Sequence, residues 1–184
     1  MLYGQKVVLR AIEPADLPNY VRWINDPEVR EFMLWRAPMA LAQEERWYEQ
    51  HLQTDQKDEY GFAIDYEGQH IGGCGLHRID WRNRSAEFGI FIGEKGLWGQ
   101  GLGSDATRTL IRFGFEEINL HRINLHVFAD NARAIHIYES VGFVHEGRER
   151  DAYFRHGHFL DILCMSILAP EWVSLANSNT PNAG

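Results

Sequence analysis

The sequence predicts a mixed α/β fold, a central sheet covered by helices, in a single domain. Three observations predict it. Short runs rich in Val, Ile and Phe alternate with single amphipathic stretches along the chain. No internal repeat or linker interrupts that order, and 184 residues suit one domain with a substantial core. In the middle, an apolar run passes through a glycine-rich loop straight into a helical pattern, "AEFGIFIGEKGLWGQGLGSDATRTLIRFGF".

Residues 6–12, "KVVLRAI", read as the first strand. "EPADLPNYVRWIND" follows as a helix, with Pro14 in its first turn and Asp26 and Pro27 closing it. Residues 39–53, "MALAQEERWYEQHLQ", give a second helix with Leu41, Trp47 and Leu52 among its apolar positions. "YGFAIDYEGQHIGGCGLHRID" makes two strands joined by a turn at Glu67 and Gly68. Residues 86–93 form a further strand, followed by the glycine loop and a helix to about Glu117. Residues 123–130, "INLHVFAD", are a strand, and "NARAIHIYESVGF" is a short helix. Asn131 suits its N-cap and Gly142 the left-handed residue that ends it. "FVHEGRERDAYFRHGHFLDILCMSIL" supplies two or three strands, turning near His156 and Gly157. From Leu175 the tail "LANSNTPNAG" is polar, small and aperiodic, so the domain is expected over residues 1–174 and a disordered tail over 175–184.

The formal net charge of −8 argues against nucleic acid as the main partner, because phosphate binding wants a basic face. It leans towards cationic substrates. Cys74 and Cys164 lie far apart, each among apolar residues, and are expected as buried, reduced thiols. "MLYGQKVVLRAIEP" has no signal-peptide layout, and no run approaches the ~18 apolar residues of a membrane span. A cytoplasmic protein without a membrane partner is expected.

Gly99, Gly101 and Gly103 alternate just before a helix. A helix N-terminus offers unpaired N–H groups and the positive end of the dipole, and glycines let an anion reach the backbone. A tight strand-to-helix turn without a ligand is the alternative. The spacing excludes two familiar anion loops. Gly96 and Gly101 have the Walker separation, but Leu102 stands where lysine should be; in a GxGxxG reading Ser104 takes the third glycine's place. No acidic residue is placed convincingly on the next strand for a dinucleotide ribose.

"WGQGLGSDA" resembles the pyrophosphate loop of the GNAT superfamily of acetyl-CoA-dependent N-acetyltransferases, Gln/Arg-x-x-Gly-x-Gly/Ala. Trp98, Gly101 and Gly103 occupy its patterned positions. "FADNARAIHIYESVGF" is similar to that superfamily's second signature, an Asn followed by a helix with a Tyr and ending in Gly-Phe. The match runs from "VVLRAIEPADL" to "DILCMSIL" and is closest to the branch of the ribosomal-protein alanine and spermidine acetyltransferases. It implies a GNAT fold with a mixed, mostly antiparallel sheet and flanking helices. It also implies acetyl-CoA as acetyl donor and an amine as acceptor. Homodimers are common in the branch, so a second copy is the implied protein partner. Trp98 departs from the usual Gln or Arg, but that position works largely through its backbone N–H.

The implied reaction is attack of an amine on the thioester carbonyl. An alkyl amine has a pKa around 10.4 and a thiol about 8.5, so proton handling at both ends is useful. From the residues alone Tyr138 reads better as a packed aromatic beside Ile135; the resemblance reverses that, because Tyr138, seven residues after Asn131, stands where the family places its general acid. Asn131 matches a residue that bonds the cofactor's amide-rich arm. The base is open. Glu87 shares a strand face with Gly89 and Phe91 and matches an acidic position of the branch; His126 shares a face with Asn124 and Phe128, near where some relatives carry the base. A water chain is the third option. The strand at Phe91 and Ile92 is expected to offer backbone groups to the pantetheine arm, one N–H polarising the thioester carbonyl. The amides of Trp98, Gln100, Gly101, Leu102, Gly103 and Ser104 would hold the diphosphate, with Gly99, Gly101 and Gly103 making room for it.

No metal centre is expected: His156 and His158 sit in a turn without further ligands nearby in sequence. Trp23, Phe32, Trp35, Trp47 and Tyr48 belong to the region that lines the acceptor pocket in this branch, or are plain helix-to-sheet packing. Spermidine acetyltransferases carry adjacent acidic residues after the first helix. Here "FMLWRAPMA" holds Arg36 among apolar residues. A protein N-terminus is therefore the expected acceptor, with polyamines and amino sugars or aminoglycosides as alternatives. A non-catalytic acetyl-CoA-binding module is the alternative of a different class.

Overall fold

A computed structural model describes residues 1–34, 38–53 and 58–178. Its order is β1 (Leu2–Tyr3), β2 (Val8–Arg10), a 3-10 turn (Pro14–Asp16), α1 (Leu17–Asn25), α2 (Pro27–Arg30), α3 (Leu41–Gln53), β3 (Tyr60–Tyr66), β4 (Gln69–Asp80) and β5 (Ser85–Ile92). Then come α4 (Leu102–Arg112), a closing π-turn (Phe113–Glu117), β6 (Arg122–Phe128), α5 (Ala132–Val141), β7 (Val144–Arg155), β8 (His158–Leu168) and α6 (Ala169–Ser178).

The expected first helix divides, because Pro14 starts a 3-10 turn and Pro18 restarts the chain as α1. Asp26 then caps α2, its carboxylate accepting the N–H of Glu28. Glu67 (φ 52°) with Gly68 (φ 79°) and His156 (φ 50°) with Gly157 (φ 82°) are consecutive left-handed pairs, the twist-matched turn of a two-residue hairpin. Three elements were not foreseen: β1, α2 and α6. The last takes in Leu175 to Ser178, so the helix runs four residues into the segment expected to be disordered; residues 179–184 lie outside the described residues.

The eight strands form one sheet in the order β1-β2-β3-β4-β5-β6-β8-β7. Every neighbouring pair is antiparallel except β5 with β6, which run parallel and are joined by the α4 crossover. The main core lies between the sheet and α4 with α5. It is built from Leu9, Ile64, Leu76, Phe88, Leu110, Ile123, Leu125 and Met165 among others. Leu102, Ala106 and Leu110 recur every fourth residue and put one stripe of α4 on the sheet. Fully burying each leucine contributes about 1.5–3 kcal/mol. On the opposite face a smaller core of Tyr20, Trp23 and Val29 packs against Phe91 and Trp98. Towards β7 this face lies open to solvent.

Asp105 ties α4 to the start of the chain. Its buried carboxylate accepts the backbone N–H groups of Gln5 (3.0 Å), Lys6 (2.7 Å) and Val7 (3.0 Å). Three such bonds satisfy a charge that burial would otherwise penalise. Lys6 is thereby held against the glycine loop, its Nζ donating to the Gln100 carbonyl at 2.8 Å.

Candidate active site

The site begins where the sheet opens. β5 and β6 pair only at Ser85, Ala86 and Glu87, opposite Arg122, Ile123 and Asn124. Beyond Glu87 the two parallel strands part, although β5 runs on to Ile92 and β6 to Phe128. A slot therefore lies between Phe88 to Ile92 on one side and Leu125 to Phe128 on the other, edged by backbone groups with no ladder partner across it.

The glycine loop stands at the far end of β5. Gly99 (φ 82°) and Gly101 (φ 80°) are both left-handed, and an added Cβ at Gly99 would meet nothing within 4 Å. At Gly103 such a Cβ would make ordinary contacts with Ile137 at 3.7 Å and Ile92 at 3.8 Å. Helix α4 starts at Gly101 without a side-chain cap, leaving its first amides, from Leu102 to Ser104, for a ligand. Trp98 does not point into this opening. Its indole N–H donates to the Ile92 carbonyl at 2.8 Å, and the Arg133 guanidinium lies over its ring at 5.1 Å. The residue that replaces Gln or Arg thus locks the loop against β5.

Asn131 caps α5, its side-chain oxygen accepting the N–H of Ala134 at 3.1 Å. About two turns later Tyr138 is buried, with its ring edge-on to Phe88 at 5.9 Å and beside Phe143 at 5.8 Å. Phe88 is the first residue past the last β5–β6 pair, so Tyr138 stands at the apex of the slot on the α5 side of the sheet. Burial pushes its phenol up to about 12.

Glu87 and His126 meet on the other face. His126 Nδ1 lies 3.3 Å from Glu87 Oε1, and Arg78 reaches Glu87 Oε2 at 2.7 Å. The two residues named as alternative bases are a hydrogen-bonded pair, 39 residues apart in sequence, with His126 two positions past Asn124, the partner of Glu87 across the parallel strands.

Other residues carried no local signal in the sequence. Lys6 and Arg133 flank the loop through contacts 94 and 35 residues long. The Tyr20 hydroxyl is buried above Gly73 with no hydrogen-bond partner among the described residues, its ring against Phe91 at 5.8 Å. Glu44 on α3 is buried without an ion pair among the described residues, and burial raises its pKa. Of the aromatic cluster, Trp23 is core, Phe32 and Trp47 are exposed, and the Tyr48 hydroxyl donates to the Ile12 carbonyl; Trp35 lies outside the described residues. Cys74 is buried as expected. Cys164 is not: it is half-exposed on the open face, because its strand neighbour β7 lies at the sheet edge and is exposed along the stretch opposite it.

Residues 6–144 match the model of the acetyltransferase (GNAT) domain. This chain belongs to the GNAT acetyltransferase family. It is accordingly an N-acetyltransferase that takes its acetyl group from acetyl-CoA, and the uncapped helix, bare glycines and parted strands fit that molecule. Among its relatives, an uncharacterised N-acetyltransferase, p20, of Bacillus licheniformis is 30% identical over 93% of this chain and 97% of its own. The spermidine N(1)-acetyltransferase of Vibrio cholerae is 29% identical over 93% of this chain and 98% of its own. A crystal structure of spermidine N-acetyltransferase from Vibrio cholerae in complex with CoA and spermine superposes with a TM-score of 0.86. It shares 29% identity and covers 92% of this chain and 99% of that one. Among the described residues of this GNAT enzyme no helix is long and apolar enough to cross a membrane.

Proposed function

We propose that this enzyme acetylates a primary amine of a polyamine-type cation by direct attack on the thioester in the β5–β6 slot. One observation carries the reading: the parted strands bring Tyr138 from one face and the Glu87–His126 pair from the other to a single apex. An acid and a base on opposite sides of the reacting carbon are what amine acetylation requires.

In this reading the amides of Trp98 and of Gln100 to Ser104 receive the diphosphate, with Lys6 and Arg133 supplying nearby positive charge. Asn131, Phe91 and Ile92 line the path of the pantetheine arm, and a Phe91 or Ile92 amide polarises the carbonyl. Acetyl-CoA supplies the activated acyl group; the remaining work is proton handling. Glu87 accepts the Nδ1 proton of His126, which leaves the Nε2 lone pair to take the proton of the attacking amine, directly or through water. The Tyr138 phenol, held protonated by burial, donates to the departing sulfur.

A cationic acceptor is supported by the Tyr20 hydroxyl and the buried Glu44, neither of which has a hydrogen-bond or ion-pair partner for its side chain among the described residues, since buried polar groups without partners are rare and mark a place for a ligand. Two spermidine acetyltransferase relatives and the net charge of −8 point the same way. The test is thiol release from acetyl-CoA with spermidine, spermine, a basic N-terminal peptide and an aminoglycoside. Spermidine and spermine are expected to turn over best. Faster turnover of the peptide would overturn the acceptor, and cofactor binding without thiol release from any amine would leave only the acetyl-CoA-binding module.

A further inference from the structure

We propose that His126, Cys164 and Glu149 form a binding site for a borderline-soft divalent cation of the Zn²⁺ class, on the open sheet face beside the slot. Their ligand atoms all lie within 4.8 Å of one another. Three adjacent strands present them. His126 on β6 is directly opposite Cys164 on β8, and Cys164 is opposite Gly147 on β7. Gly147 is the structural reason for the cluster. An added Cβ there would meet nothing within 4 Å, so the position facing the thiol is open. Two residues further along the same strand, Glu149 leans back across that gap and its Oε1 lies 3.8 Å from the Cys164 sulfur. The irregular register of β7 between His145 and Gly147 sets this alignment.

The donor set selects the ion. One imidazole, one thiolate and one carboxylate are the ligand types of a zinc site with a fourth, open position. They are a poor set for Mg²⁺ or Ca²⁺, which prefer oxygen alone. A carboxylate stands behind the ring too: Glu87 Oε1 lies 3.3 Å from His126 Nδ1, and with the proton on Nδ1 that contact orients the ring and leaves Nε2 for an ion. On binding, the thiol gives its proton to solvent and the sulfur bonds the metal as thiolate. The charges of Glu149 and Glu146 act on the thiol and favour a cation there.

The consequence rests on the function proposed above: an ion on His126 occupies the lone pair that accepts the amine's proton, so it inhibits acetyl transfer. Binding itself does not depend on that function. The full chain, stripped of metal by a chelator, is titrated with Co²⁺ alone and then with Zn²⁺ alone. One ion per chain is expected, with a thiolate-to-cobalt charge-transfer band. Cys164→Ser should abolish the band, and Cys164→Ser and Glu149→Gln should each weaken Zn²⁺ binding by about tenfold or more. Both variants should keep basal turnover and lose its inhibition by Zn²⁺. No band in the wild type, a band that survives Cys164→Ser, or unchanged affinity in Glu149→Gln would overturn the site. If no amine is acetylated at all, the cobalt titration still decides.

Discussion

Tyr138 is a residue whose surroundings set its chemistry. A phenol at the edge of the slot would titrate near 10, but packing against Phe88 and Phe143 removes water and pushes it up to about 12. It therefore keeps its proton throughout the range in which an amine becomes nucleophilic. Tyr138→Phe is expected to lower kcat about 10- to 100-fold while calorimetry finds acetyl-CoA affinity within about threefold. An unchanged kcat would remove Tyr138 from the chemistry. At this scale the sequence was informative in part. The spacing from Asn131 picked out Tyr138, and alternation put Glu87 and His126 on strand faces. No spacing rule says that residues 87 and 126 touch.

At the scale of elements, the loop and α4 act as one unit. The loop's shape depends on two left-handed glycines, and its position on Trp98 bound to the end of β5. Gly101→Val places a branched side chain at φ 80°, next to Lys6 Nζ, where L-residues are strained by about 1–3 kcal/mol. The variant should fold and lose at least about tenfold in acetyl-CoA affinity by calorimetry; normal affinity would displace the diphosphate from this loop. The glycine pattern was legible because backbone conformation is a local property. The Asp105 carboxylate that pins residues 5–7, and so brings Lys6 to the loop, was not, because it joins segments about a hundred residues apart.

For the whole molecule, the Arg10–Asp16–His70 network under α1 contributes to the pH dependence of stability. Asp16 bonds Arg10 at 2.7 Å and lies 3.2 Å from His70, whose Nε2 also meets the Gly72 carbonyl. Burial holds the His70 pKa below its ordinary value against the pull of Asp16. Burial opposes the Asp16 charge too, but the Arg10 and Glu13 hydrogen bonds and the charge of His70 prevail and lower its pKa. Both folded values lie below the unfolded ones, so the unfolded chain gains protons first as pH falls. Stability should decline below about pH 6.5 through His70 and again below about pH 4 through Asp16. Thermal melts of His70→Gln should lack the first decline relative to wild type; an identical pH slope would exclude His70 as its source.

By itself the sequence determined most of the strand-and-helix order, the two hairpin turns and the bare loop before a helix. These follow from φ preferences, hydrophobic periodicity and short spacings, all local. It could not decide that β5 and β6 part after Glu87, that Glu87 bonds His126, that the Tyr20 and Glu44 side chains lack partners among the described residues, or that Cys164 faces Glu149 in the open. Each of those is set by sheet register and by what packs, or fails to pack, over a given face, and register joins residues that the chain itself keeps far apart.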